Sequence, residues 1–136
     1  MRFLIDTDIA SFFLKRRFAV LDRRMRAAIR AREVAISAIT RAELRYDQAL
    51  MPAEACKRHE LIDAFLETIP VLDRDQEAAD RYCPIAAALR KRGRPIGCMD
   101  TMIAAHALAE GMILVTNNTD DFQYVEGLVL ENWTLE

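Results

Sequence analysis

Asp100-Thr-Met-Ile-Ala-Ala-His-Ala-Leu-Ala-Glu-Gly-Met-Ile-Leu-Val-Thr116 holds a helix, its stop signal and a strand in one unbroken run. Small and apolar residues between Met99 and Glu110 recur at helical spacing, so a closely packing helix is expected there. Gly111 supplies the left-handed residue that ends such a helix. Met112-Ile-Leu-Val-Thr116 then reads as a buried strand. A helix running straight into an all-apolar strand is the signature of an α/β layer, in which strands are covered on both faces.

The rest of the chain repeats that alternation. Phe3-Leu-Ile5, Val34-Ala-Ile-Ser37, Val71-Leu72 and Leu128-Val-Leu130 read as further short strands, the last at an edge. Helices are expected over 9–16, 20–32, 40–50, 52–68 and 75–91. Leu21, Met25, Ala28 and Ile29 mark the inner face of the second, and Leu61, Ile62, Phe65 and Leu66 that of the fourth. Pro52 is placed where a first helical turn accepts proline. Pro84 predicts a kink or break in the fifth. The sum is an α/β fold with a mainly parallel sheet of four or five strands. No repeat or linker divides residues 1–136, so one domain is expected.

Composition narrows the function classes. The chain is 52% hydrophobic and 29% charged, with net charge −2. No apolar stretch approaches the roughly 20 residues that span a bilayer. Asp6 and Asp8 interrupt any signal-peptide core, and Cys56, Cys83 and Cys98 form neither a disulfide framework nor a metal pair. A reducing cytoplasm and no membrane are therefore expected. His59 and His106 stand alone, which speaks against a histidine-based zinc site. Residues 1–33 carry nine basic and four acidic side chains, while 117–136 carry five acids and no base. The runs Lys15-Arg-Arg17, Arg23-Arg-Met-Arg26 and Arg90-Lys-Arg-Gly-Arg94 fit solvated helix faces, and together they also fit phosphate contacts around an acidic centre.

Acids stand where the strands end. Asp6 closes the first strand, Glu43 follows the second by a helical turn, Asp100 opens the small-residue helix, and Asp121 lies past Thr116. Each has a local structural role available. Asp6 and Thr7 suit a helix N-cap. Thr40-Arg-Ala-Glu43 has capping-box spacing. Asp100 suits a cap, and Asp120-Asp121 a turn. None of these roles explains an acid at nearly every strand end. In a parallel sheet those ends share one edge, and gathered carboxylates call for a hard cation such as Mg²⁺ or Mn²⁺.

The segments Phe3-Leu-Ile-Asp-Thr-Asp-Ile9, Ile36-Ser-Ala-Ile-Thr-Arg-Ala-Glu-Leu44, Pro95-Ile-Gly-Cys-Met-Asp-Thr-Met-Ile-Ala-Ala-His-Ala107, Leu114-Val-Thr-Asn-Asn-Thr-Asp-Asp-Phe122 and Gly127-Leu-Val-Leu-Glu-Asn-Trp133 resemble the PIN-domain family, specifically the VapC-type toxins of bacterial toxin–antitoxin pairs. The resemblance implies a PIN-like three-layer sandwich with a small sheet flanked by helices. It implies a ribonuclease in which Asp6, Glu43 and Asp100 hold Mg²⁺ (Mn²⁺ being the alternative), with Asp121 as the fourth catalytic acid. Thr7 would orient Asp6 or a metal-bound water, and Asn118 occupies the place where many relatives carry that fourth acid. Asp8 stands where asparagine is usual and Asp47 where glycine is common. A VapB-type antitoxin, a structured RNA substrate (a tRNA or an rRNA loop, with initiator tRNA the sharpest form) and a homodimer are implied as partners. Phe12, Phe13, Phe18 and Leu21 suit either the antitoxin segment or plain core packing.

Three other readings compete. Leu4-Ile-Asp-Thr-Asp8 satisfies the strand-end motif of haloacid-dehalogenase-type phosphatases, but no lysine follows Lys91 and Thr116 comes almost directly before Asp120-Asp121. A housekeeping PIN nuclease in RNA maturation, and a PIN domain that binds RNA or a partner without cutting it, share the fold.

Overall fold

The computed structural model describes residues 1–73 and 76–135. Its elements run β1 (Phe3–Ile5), α1 (Thr7–Leu14), α2 (Ala19–Arg30), β2 (Val34–Ser37), α3 (Ala38–Leu50), α4 (Cys56–Thr68), β3 (Val71–Leu72), α5 (Gln76–Lys91), α6 (Cys98–Glu110), β4 (Ile113–Val115), α7 (Thr119–Phe122) and β5 (Leu130–Glu131). The five strands pair in the order β3-β2-β1-β4-β5, every pair parallel.

Register and strand alternation produce the three layers. Phe3 pairs with Val34 on one side and Ile113 on the other, which aligns odd and even positions across the sheet. Phe3, Ile5, Val34, Ile36 and Val115 face a core with Ile9 and Ala10 of α1, Leu21 and Met25 of α2, and Phe65 and Leu66 of α4. Leu4, Ala35 and Leu114 point the other way, onto Leu89 of α5 and Ile103, Ala104 and Ala107 of α6. Both faces are thus apolar, and the central strands are continuously hydrophobic, as a doubly covered parallel sheet requires. Leu4 and Leu114 are completely buried. Truncating either to alanine costs about 2–5 kcal/mol.

The topology fixes where a ligand can sit. From β1 the chain passes to β2 on one side, and later to β4 on the other. The helices that leave these strands part at β1 and open a crevice at its carboxyl end. Asp6 is the residue there.

Several sequence expectations change. Helix α4 begins at Cys56, four residues beyond Pro52, because Pro52 opens a turn in which Ala55 N donates to its carbonyl at 3.1 Å. Leu61 is exposed. Helix α5 runs unbroken through Pro84. Proline and Asp80, whose carbonyl loses its helical donor, both face solvent, so water can take the missing bond. The expected helix start at Asp75 falls outside the described residues. The last strand is Leu130–Glu131, at an edge as expected but shifted from 128–130. Leu21 is wholly buried, and Phe12, Phe13 and Phe18 pack against the core, with Phe12 and Phe18 edge to face at 5.5 Å. Gly111 caps α6 at φ 65°.

Candidate active site

Asp6 ends β1 and starts α1. Its amide donates to Val115 O at 3.0 Å, the last rung between β1 and β4. Its carboxylate accepts from Ile9 N at 2.8 Å and from the Thr116 hydroxyl. The capping role is therefore real and coexists with placement in the crevice. Only 3% of the residue is exposed. Burial pushes its pKa up to about 7, against the two hydrogen bonds, and the charges of Asp8 and Asp100 push the same way.

Asp100 lies in the first turn of α6, half-buried. It does not cap that helix: Gly97 holds the cap position, and Thr101 ties back to the Gly97 carbonyl through both its amide (2.9 Å) and its hydroxyl (2.8 Å). Freed from capping, the Asp100 carboxyl is raised above the usual carboxylate range, first by burial and then by Glu43, Asp8 and Asp121. Asp6, 94 positions away in sequence, in turn feels the Asp100 charge.

The capping box expected at Thr40 and Glu43 is not formed. Helix α3 starts three residues earlier, capped by Ser37, whose hydroxyl accepts from Ile39 N at 3.1 Å. Thr40 and Glu43 are interior residues one turn apart on the face toward α1. Thr7 Oγ1 lies 2.6 Å from Glu43 Oε1 and 3.1 Å from Thr40 Oγ1. A hydroxyl has one hydrogen, so Thr7 donates to the carboxylate and accepts from Thr40. Thr7 is therefore bonded to Glu43 and does not orient Asp6.

Asn118 and Asp121 share one unit. Asn118 Nδ2 donates to Asp121 Oδ2 at 3.2 Å, and the Asn118 amide donates to the Thr116 hydroxyl at 3.0 Å. Thr116, which also reaches Asp6, ties half-buried Asn118 and exposed Asp121 to the buried acid. Sequence reasoning gave Thr116 no role in the site; a hydroxyl at a strand end was its signal.

A second missed pair sits behind the acids. His106 Nδ1 and Ser37 Oγ are 3.0 Å apart, both wholly buried. Glu43 follows Ser37 by six residues and Asp100 precedes His106 by six, so the bond braces the two acid-bearing helices about 9 Å from each acid along its axis. A lone histidine within the small, apolar run Met102–Ala109 was the clue.

The chemistry available is that of oxygen donors with excess negative charge. Among the described residues no lysine or arginine forms an ion pair with Asp6, Glu43, Asp100 or Asp121. Nor, among those residues, do three or more acidic, histidine or cysteine side chains stand together as a ready-made metal site.

Residues 3–128 match the family described as PIN domain. Over 136 residues the chain is 38% identical to the tRNA(fMet)-specific endonuclease VapC of Shigella flexneri, covering 98% of this chain and 99% of that one. The chain belongs to the PIN-domain family. Within it, it is a VapC-type toxin endoribonuclease of the VapBC kind. The structure of VapBC2 from Rickettsia felis, bound to a promoter DNA fragment, matches with TM-score 0.88 at 28% identity, covering 98% of this chain and 99% of that one. DNA-bound VapBC from Salmonella typhimurium matches with TM-score 0.87 at 32% identity, covering 98% of each chain. The phosphatase reading falls with these matches.

Proposed function

We propose that this endoribonuclease acts through a divalent cation, Mg²⁺ or Mn²⁺, held by Asp6, Glu43 and Asp100, with Asp121 as the fourth acid. The observation that carries the reading is the Asp6 carboxyl. It is buried, its pKa is pushed up to about 7, and it faces Asp8 and Asp100 without an ion-pair partner among the described residues. Such a group is costly to fold around unless something neutralises it. An all-oxygen donor set selects a hard cation. When bound, the cation supplies charge neutralisation at the phosphate and a more acidic water for phosphodiester hydrolysis.

The chain's own residues do the positioning. Thr7 holds one oxygen of Glu43 and leaves the other free to turn to a ligand. Thr116 and the Ile9 amide fix the Asp6 carboxylate. Asn118 orients Asp121 at the exposed mouth, where RNA arrives. Residues 1–136 work as one domain in this reading.

The substrate we infer is tRNA, the initiator species first, on the likeness to the Shigella flexneri enzyme. A VapB-type antitoxin as the silencing partner follows from likeness to the VapBC structures, and a homodimer and a cytoplasmic location accord with the family resemblance. No helix among the described residues is long and apolar enough to cross a membrane. The test is cleavage of total bacterial RNA by purified, antitoxin-free protein with Mg²⁺ or Mn²⁺, beside EDTA and Asp100→Asn controls, with cut ends sequenced. Discrete cuts within the initiator tRNA that vanish in both controls are expected. Cuts that persist in EDTA or in Asp100→Asn would overturn the metal assignment.

A further inference from the structure

Helix α5 ends in a glycine-closed turn. Gly93, at φ 72°, donates to Arg90 O at 3.0 Å, and Arg94 N reaches back to Leu89 O at 2.9 Å. That crossed pair of bonds is the Schellman pattern, which needs a left-handed residue and fixes the residues on either side of it. Here those residues are Arg92 and Arg94. Both guanidiniums lie over the ring of Tyr124, at 5.4 Å and 4.1 Å from its centroid. Arg92 is pinned further by a bond to the Tyr124 carbonyl at 3.3 Å. Both arginines are exposed, and neither meets a carboxylate partner among the described residues. Stacking leaves the in-plane N–H donors of a guanidinium available while restricting its rotamers, so less entropy is lost when a ligand is bound.

This pair is tethered to the acidic site from two directions. Tyr124 follows Asp121 by three residues, and Asp121 is joined through Asn118 to Thr116 at the end of β4. Arg94 itself precedes Asp100 by six residues on the connection into α6. Arg90 and Lys91, both exposed, add charge on the same turn. Arg92 also lines a concavity of about 520 Å³ whose wall carries Glu77, Asp80 and Glu126, with Arg81 as its one other cation among the described residues, paired to Glu77 at 3.4 Å. Those carboxylates repel phosphate, so a polyanion is met on the exposed guanidinium edges and not inside that hollow.

We propose that Arg92 and Arg94, set by the glycine turn and stacked on Tyr124, form a phosphate-binding rim that holds the RNA backbone beside the Asp121 side of the acidic site. The assignment of RNA as the polyanion rests on the nuclease reading above. Phosphate contacts position a nucleic acid without reading its sequence, so the rim sets affinity and register and leaves the chemical step to the acids.

The test measures anisotropy of fluorescein-labelled initiator tRNA in EDTA, where no cleavage is expected, across a salt series. Single-turnover cleavage with Mg²⁺ is measured alongside. Arg92→Ala/Arg94→Ala should raise Kd on the order of tenfold and lower the salt slope by roughly 1.5–2. Cleavage at saturating RNA should stay within about twofold of the parent. Arg92→Lys/Arg94→Lys should recover most of the salt slope, because the charge is kept. Arg94→Glu leaves the Arg92 bond to Tyr124 intact and should weaken binding further, which covers failure of the double alanine variant to fold. An unchanged Kd and slope, or an equal loss from Arg30→Ala/Arg32→Ala, where α2 ends and the chain enters β2 at the opposite edge of the sheet, would overturn the rim. If the parent binds but does not cut, while the double variant loses slope, the rim stands and the nuclease reading fails. If the parent cuts and the variant binds as well as it does, the reverse holds.

Discussion

Replacing Asp6 by asparagine should make the metal-free protein more stable while removing its activity. The carboxyl titrates at about 7 in the folded chain, against 3.8 for an ordinary aspartate. At about 1.4 kcal/mol per pH unit the gap corresponds to roughly 4 kcal/mol. The sign is that of a raised acid: the folded state prefers the protonated form, so ionisation destabilises it at every pH above the unfolded value, fully once pH exceeds about 7. Asparagine does not ionise. It also caps helices as well as aspartate does, so the bond from Ile9 N survives, and its amide can donate to Thr116 Oγ. The pKa gap already includes both hydrogen bonds, and the amide stands in for the neutral carboxyl, so the gain at pH 8 is on the order of 3–4 kcal/mol. For a chain of this length that is roughly 8 °C or more in Tm. Urea unfolding of parent and Asp6→Asn in EDTA at pH 8 should show the gain, and at pH 4 the two curves should converge. Equal stability at pH 8, or a gain that persists undiminished at pH 4, would refute the idea that Asp6 is held ionised against its surroundings.

Other expectations follow from the same geometry. Because a cation must displace the Asp6 proton, Mn²⁺ affinity should rise as pH climbs from 6 to 8, with proton release visible in buffers of different ionisation enthalpy; an affinity flat in pH contradicts this. Thr7→Val removes the donor to Glu43 and should lower the cleavage rate on the order of tenfold with little change in RNA affinity, as read by single-turnover kinetics. His106→Ala breaks the brace to Ser37 and should cost about 2–4 kcal/mol in urea unfolding. His106→Asn should restore part of the rate if the brace positions Glu43 and Asp100. Asp121→Asn should depress cleavage less than Asp100→Asn, since Asp121 is exposed and joined to the site through Asn118.

The layer architecture was legible because its signals are local. Apolar runs such as Met112–Thr116 and a stop glycine at 111 declare strand and helix without help from the rest of the chain. The helix start at Pro52 misled because proline suits the start of a turn as well as of a helix. No break forms at Pro84 because its solvent-facing place lets water take the missing bond. The acids illustrate the same limit. Thr40 and Glu43 have the spacing of a capping box, but Ser37 starts the helix a turn earlier and leaves both side chains for Thr7. Asp6 could be read as a cap or as a ligand; the cap is formed, and it leaves the carboxylate in the crevice at the end of β1. Ser37, His106 and Thr116 escaped notice because their importance lies in pairings 69 residues apart, or across the sheet, that only the fold creates.

The account turns on whether Asp6, Glu43 and Asp100 together hold one hard cation. Electron paramagnetic resonance of free Mn²⁺, titrated into antitoxin-free protein at pH 8, measures this directly. The account predicts saturable binding in the parent, lost in Asp6→Asn and in Asp100→Asn, and weakened in Glu43→Gln, with all four proteins folded. Binding that survives loss of both Asp6 and Asp100 would place the metal elsewhere and contradict the central claim.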